Sequence, residues 1–379
     1  MHLVDITMFY AAEGGGVNTY LNAKARWLAQ RGLIRHTILS SSISAPVLSA
    51  SALALPSFAI PGVRGYRMPR SIGGPARLIH TLAPDLIEAG DACQCAWAAL
   101  RAARRLRVPA VAFYHSDLAA LVERRFGAHA ANVARAYLGQ LYRQFDLVLA
   151  PSELMTRALG AMGVAQAAHQ PLGIDSWTFC PQRRDPSLRS QLQLAPNTRL
   201  LVYAGRFTPE KKLHLLIAAV RKLGKPYHLL LIGSGDDSLP RTRELSFIPF
   251  VRDLRLLARL LASCDALVHP GDCETFGLIV LEAMACGLPV VGADGGGVAE
   301  LVDEDSGVLV APDSVEALCA GIEALYWRDR ARLGANARRK AAGRYDWRHV
   351  MPQLLRHYCS LLAARQRAQL EAHSACLAD

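Results

Sequence analysis

The sequence has no CxxC pair, and its nine cysteines are an odd number. That excludes the disulfide framework of a small secreted fold and leaves reduced thiols in or near a core. No histidine cluster accompanies Cys93 and Cys95, so a zinc site is not indicated there. No unbroken apolar run reaches the roughly twenty residues of a membrane span. The longest uncharged stretch, residues 37–63, is broken by Pro46, Pro56, Pro61 and many serines. It reads as a strand end followed by an irregular surface loop. No leader peptide is visible, since Met1 runs at once into a strand-like segment over residues 2–9. No DxD metal motif is recognised. No nucleic-acid module, short-period repeat or low-complexity tail is evident.

What is present is a globular chain. Its 379 residues are too many for one ordinary core and suggest two domains. With 51% hydrophobic and 20% charged residues it is not disordered. The net charge of +11 needs a partner or a surface. Arg101, Arg104, Arg105 and Arg107 follow a helical pattern, as do Arg124 and Arg125 farther on. A solvated face that keeps the protein soluble is the bland reading. A face that meets anionic lipid is the sharper one. It would make a cytoplasmic protein peripheral on the inner face of its membrane. Nucleic acid is not expected as a partner.

Apolar runs of strand length alternate with helical patterns throughout. The first half predicts strands at residues 2–9, 36–40, 86–88, 108–114 and 147–151, with helices at 18–30 and 132–145. The second half predicts strands at 200–204, 228–233, 245–250, 266–269, 290–293 and 308–310. This rhythm predicts an α/β protein of two Rossmann-like domains with helix-covered parallel sheets. Pro171 and Gly173 mark the boundary, giving domains at 1–171 and 172–345. A terminal helical segment at 346–379 follows.

The densest chemistry lies between His269 and Val291. An apolar strand feeds a loop carrying Glu274. A helix is expected to open near Phe276 and to carry Glu282, and Gly287 and Pro289 stop it. Polar groups then sit at the carboxyl edge of a sheet, where open α/β folds bind ligands. Free N–H groups at Phe276, Gly277 and Leu278 would cradle a phosphate. Two carboxylates beside an anion site make sense if they hold the hydroxyls of a sugar nucleotide. The bland reading makes Glu282 a solvated helix position and Glu274 an acid facing the helix dipole. Arg206 follows the strand at 200–204, and Lys211 stands five residues on. A guanidinium fork and a point charge suit a diphosphate, although both could be surface residues at a turn.

The run from Glu274 to Glu282 resembles the E-x7-E signature of retaining GT-B glycosyltransferases, the large group that includes bacterial α-mannosyltransferases and sucrose synthase. Three stretches agree in order and spacing: Gly14-Gly15-Gly16, Phe113-Tyr114-His115-Ser116-Asp117, and Gly205 to Lys211. The resemblance covers nearly the whole chain. It implies two Rossmann-like domains facing across a cleft and transfer of a sugar from a nucleotide-sugar donor with retention of the α configuration. It implies no cofactor and no metal, since Arg206 and Lys211 would clamp the diphosphate and stabilise the leaving nucleotide. Glu274 would hold the C3 and C4 hydroxyls of the sugar and Glu282 the ribose hydroxyls. Phe276, Gly277 and Leu278 would complete the phosphate cradle. His115 would meet the C6 hydroxyl, although a lone histidine is more often structural, and Asp117 could simply cap the next helix. Gly15 and Gly16 would touch the diphosphate and acceptor after domain closure. Gly233 and the segment Phe250-Val251 lie at two more strand ends, and the second of these would meet the base, with Pro249 where glycine is common. Lys212 also departs from the pattern, which usually has glycine after the lysine, so that either the helix entry is less tight or Lys212 adds another cation.

The segment Phe113 to Asp117, preceded by Val108-Pro109, most resembles that of bacterial GDP-mannose-dependent α-mannosyltransferases, which makes GDP-mannose the expected donor. UDP-sugars stay open. A glycan or lipid-linked acceptor is expected, in glycolipid or cell-envelope polysaccharide synthesis. An epimerase or phosphorylase would share the fold, but no pyridoxal-lysine motif is present. A nucleotide-sugar-binding protein without turnover is the alternative of a different class. Intact Glu274, Glu282, Arg206, Lys211 and His115 argue against it.

Overall fold

Short segments rich in apolar residues make the central strands of this protein, and the helices between them bury apolar side chains. The structure is a computed structural model. It describes all residues except 12–14, 33, 44–49, 61–65, 237 and 377–379, with side chains undescribed at 369 and 372–376. The chain divides into two compact units. Met1–Pro171 with Val350–Asp379 forms the first, and Leu172–His349 the second.

In the first unit the strands are β1 (His2–Thr7), β2 (Arg35–Ser40), β3 (Ser51–Ala54), β4 (Ser57–Ala59), β5 (Arg67–Pro69), β6 (Leu86–Ala89), β7 (Ala110–Phe113), β8 (Leu147–Ala150) and β9 (Ala167–His169). The helices are α1 (Gly16–Ala29), α2 (Gly73–Leu82), α3 (Gln94–Leu106), α4 (Leu118–Tyr142) and α5 (Glu153–Ala161). Among the described residues, one parallel sheet runs β3-β2-β1-β6-β7-β8-β9, beside an antiparallel pair β4-β5. The direction of winding reverses between β1 and β6. Every residue of β1 is buried, as expected for a central strand covered on both faces.

In the second unit β10 (Arg199–Ala204), β11 (Tyr227–Ile232), β12 (Leu245–Ile248), β13 (Ala266–His269), β14 (Val290–Ala293) and β15 (Gly307–Val310) form a parallel sheet. Its order is β12-β11-β10-β13-β14-β15. Its helices are α6 (Leu188–Gln191), α7 (Leu213–Leu223), α8 (Leu254–Ala262), α9 (Leu278–Ala285), α10 (Val298–Leu301), α11 (Val315–Trp327) and α12 (Arg330–Tyr345). Winding reverses between β10 and β13. A last helix, α13 (Trp347–Cys376), passes from the second unit into the first. There the Tyr358 hydroxyl donates to the buried carboxylate of Glu88 on β6.

Two expectations need correction. The stretch at 37–63 is not an irregular loop throughout. Leu55 is buried in the first core, and β3 and β4 form around it. Pro46, Pro61 and the rest of 44–49 and 61–63 lie outside the described residues. The helix expected at 132–145 begins already at Leu118. Gly127 interrupts it with φ +82°, and the Asp117 carboxylate caps its start by accepting from the Ala120 N–H at 3.1 Å.

Candidate active site

The second unit gathers its polar groups at the carboxyl ends of β10 and β13, the two strands flanking the reversal. Ligands bind at such a switch point in open sheets of this kind. The chain leaves β10 through Gly205 and Arg206, turns at Pro209–Lys211, and enters α7 at Leu213. The turn is welded to the next strand end. Phe207 N–H donates to Ser234 O at 2.8 Å and Asp236 N–H to Phe207 O at 2.9 Å. A Cβ on Gly233 would fall 1.9 Å from Gly205 O, and its φ is +148°. Glycine is required there on both counts. Arg206 is exposed, and no carboxylate within ion-pair distance holds its guanidinium among the described residues.

Lys211 and Glu274 form an ion pair. The Glu274 Oε1 also accepts from His269 Nε2 at 3.1 Å, and His269 Nδ1 lies 3.2 Å from Gly271 O. Burial alone would raise the Glu274 carboxyl. The Lys211 charge and the His269 hydrogen bond outweigh it and hold the group well below the ordinary carboxylate range. Glu274 is thus a fixed anion. Its backbone is also pinned, since Gly297 N–H donates to Glu274 O at 2.6 Å.

Glu282 lies on α9 and is only 8% exposed, so it is not the solvated position of the bland reading. Among the described residues nothing donates to its carboxylate. Burial pushes its pKa up to about 8. A carboxyl group with no partner in its own chain is costly in a protein interior.

The helix α9 starts later than expected. Gly277, at φ +100° and ψ +54°, is its N-cap, and the first helical residue is Leu278. Val280 N–H turns back to Gly277 O. The N–H groups at this end without a helical acceptor are those of Gly277, Leu278 and Ile279, two of the predicted three and one beyond them. Phe276 itself is core, packed edge-on to Tyr345 at 5.9 Å. The loop after β12 carries Phe250, 43% exposed, with Val251 beside it, before Asp253 caps α8.

In the first unit, Gly15 precedes α1 and Gly16 opens it, both exposed. Gly14 lies outside the described residues. His115 follows β7. Its ring stacks on Phe113 at 4.2 Å and tilts against Tyr20 at 5.3 Å. Desolvation first, then the Lys24 charge, lowers its pKa to about 3, so it is a neutral imidazole. Beneath it Lys24 is buried between Asp5 at 2.9 Å and Glu88 at 3.0 Å.

Sequence reasoning missed His269, which ends β13 as an apparently apolar strand residue. It also missed where Lys212 points. A literal D-x-D does occur, contrary to the sequence reading, at Asp303-Glu304-Asp305. Asp303 there is spent on Lys340 and Ser306. Among the described residues no group of three or more His, Cys, Asp or Glu side chains could hold a metal ion.

Two doubly wound parallel sheets with alternating helices define the GT-B class of glycosyltransferase fold. Residues 14–178 match the model for glycosyltransferase family 4 and residues 185–340 that for glycosyl transferases group 1. A GDP-mannose-dependent alpha-mannosyltransferase of Mycolicibacterium smegmatis is 34% identical over 306 residues, 79% of each chain. The chain belongs to this glycosyltransferase family and is a transferase. A GDP-mannose-dependent alpha-(1-6)-phosphatidylinositol dimannoside mannosyltransferase of Mycobacterium tuberculosis is 28% identical, over 94% of this chain and 95% of its own. The crystal structure of Anabaena Alr3699/HepE in complex with UDP and glucose superposes with a TM-score of 0.76 at 23% identity. It covers 94% of this chain and 99% of that one.

Proposed function

We propose that the protein transfers mannose from GDP-mannose to an acceptor hydroxyl with retention, forming an α-glycosidic bond in glycolipid or envelope-glycan synthesis. The arrangement of Lys211, Glu274 and His269 carries this reading. A lysine has three N–H donors, and Glu274 takes one. The others, with Arg206 and the Leu278 and Ile279 N–H groups, suit a diphosphate without a metal. Glu274, held ionised, would accept from sugar hydroxyls, and Glu282 from the ribose. Phe250 offers a flat face to the base. In the first unit neutral His115 would bond the C6 hydroxyl, and Gly15 and Gly16 would let backbone approach. The C1–phosphate bond breaks as the acceptor oxygen bonds C1 on the same face. The acceptor proton passes to the leaving phosphate.

GDP-mannose as donor rests on the relatives' names, and the UDP complex of the Anabaena protein favours a UDP-sugar as the second reading. A lipid-linked acceptor fits the first unit, where α4 exposes Leu121, Phe126 and Val133, with Arg125 over the Phe126 ring. Among the described residues no helix is long and apolar enough to cross a membrane. We propose a peripheral hold on anionic lipid. Co-sedimentation with vesicles of anionic and of neutral lipid tests it, and equal binding to both contradicts it. Arg206→Ala should lower transfer by on the order of a hundredfold, as for a lost transition-state contact. A near-wild-type rate would sink the donor site.

A further inference from the structure

Lys212 stands beside Lys211, yet its side chain goes elsewhere. It is the N-cap of α7 with φ +52° and ψ +35°, a left-handed backbone that a side chain disfavours. Its ammonium lies 2.8 Å from Asp272 Oδ2 and 2.6 Å from Asp313 Oδ1, with the side chain only 8% exposed. Asp313 is itself left-handed, at φ +58°. Asp272 is two residues before Glu274. Where Lys212 crosses to it, the two loops touch, for a Cβ on Gly271 would sit 3.1 Å from Glu210 O. On the far side, a Cβ on Gly295 would meet Asp272 Cβ at 2.8 Å, and one on Gly296 would meet Glu274 O at 2.6 Å. The loop from Asp272 to Glu274 is therefore pressed between two turns, and Lys212 ties it to the turn that carries Lys211.

We propose that Lys212 is a positioning residue: its bridge from the Lys211 turn to Asp272 and Asp313 fixes the Glu274 loop at the distance the Lys211–Glu274 pair requires. Lys212 is not a second phosphate cation, because both of its neighbours are carboxylates. A misplacement of about 1 Å at a reacting centre costs up to a hundredfold in rate, so the bridge acts on kcat. This rests on the donor-site reading above.

The variants are Lys212→Gly, which removes the bridge and suits the left-handed backbone, and Asp272→Asn, which keeps the backbone as it is. Thermal unfolding, kcat, donor KM and affinity for free GDP and UDP are measured for each beside Arg206→Ala. The expected result is a tenfold or greater loss of kcat in Lys212→Gly with an unfolding midpoint close to wild type. Nucleotide affinity should change less than threefold, while Arg206→Ala lowers it tenfold or more. Asp272→Asn should add little to Lys212→Gly in the double variant, since the two share one bridge. Unchanged kcat in Lys212→Gly overturns the proposal. Loss of nucleotide affinity matching that of Arg206→Ala also overturns it, by making Lys212 a direct ligand. If Arg206→Ala is itself silent in every readout, the donor-site reading has failed instead.

Discussion

Lys211 and Glu274, 63 residues apart in the chain, are joined by an ion pair that His269 shares from below. A group held by two partners loses its geometry when either is removed. Glu274→Ala and Lys211→Ala should each lower transfer by on the order of a hundredfold. The double variant should lose far less than the product of the two. Strict additivity in this cycle would show that the two residues act independently.

Glu282 predicts an opposition between stability and function. Burial raises its pKa to about 8 in the folded chain, above the ordinary carboxyl value near 4.5. Stability linked to its proton is therefore complete below that ordinary value and is lost as pH rises through about 8. At about 1.4 kcal/mol for each pH unit separating the two values, the loss amounts to a few kcal/mol. Glu282→Gln should unfold at a higher temperature than wild type at pH 8.5 and at nearly the same temperature at pH 4.5. It should also bind donor more weakly. Equal unfolding midpoints at both pH values would contradict the burial account.

His115 should show no titration of its own in activity. Its pKa of about 3 keeps the ring neutral. Being depressed in the fold, it contributes stability that is present above the unfolded value near 6.5 and lost as pH falls. His115→Ala should lower kcat while leaving the shape of the pH–rate profile between pH 6 and 8 unchanged. Loss of a limb of that profile in the variant would make His115 a proton donor or acceptor instead.

Much of this fold was legible because central parallel strands are short apolar runs, and those at 266–269 and 290–293 match the structure to the residue. The paired-acid spacing, and Arg206 with Lys211, were legible as patterns along two strand-loop-helix units, one after β13 and one after β10. The strand β3 was not, because Ser51-Ala52-Leu53-Ala54 has none of the β-branched residues that mark a strand. The late start of α9 depends on the left-handed Gly277, which composition does not reveal. The bridges from His269 to Glu274 and from Lys212 to Asp313 were hidden for another reason. The first requires knowing which way a strand-end ring points. The second joins segments about a hundred residues apart.

Gly233 gives a test of the scaffold alone. Its added Cβ would overlap Gly205 O, and no flexible side chain is there to yield. Gly233→Ala should destabilise the second unit by about 3 kcal/mol or more, a size that marks steric conflict in a core. Thermal unfolding that leaves its midpoint within a degree of wild type would contradict the packing of β10 against β11 at their carboxyl ends.

The most direct measurement is turnover of GDP-mannose, UDP-glucose, UDP-galactose and UDP-GlcNAc in EDTA, first as slow donor hydrolysis and then with acceptors. The anomeric configuration of each product is read by proton NMR. The expected result is release of GDP from GDP-mannose without metal and an α-linked product. Release from a UDP-sugar alone would replace the donor. A β-linked product would contradict retention, and an absolute need for divalent metal would contradict a diphosphate clamp made by Arg206 and Lys211.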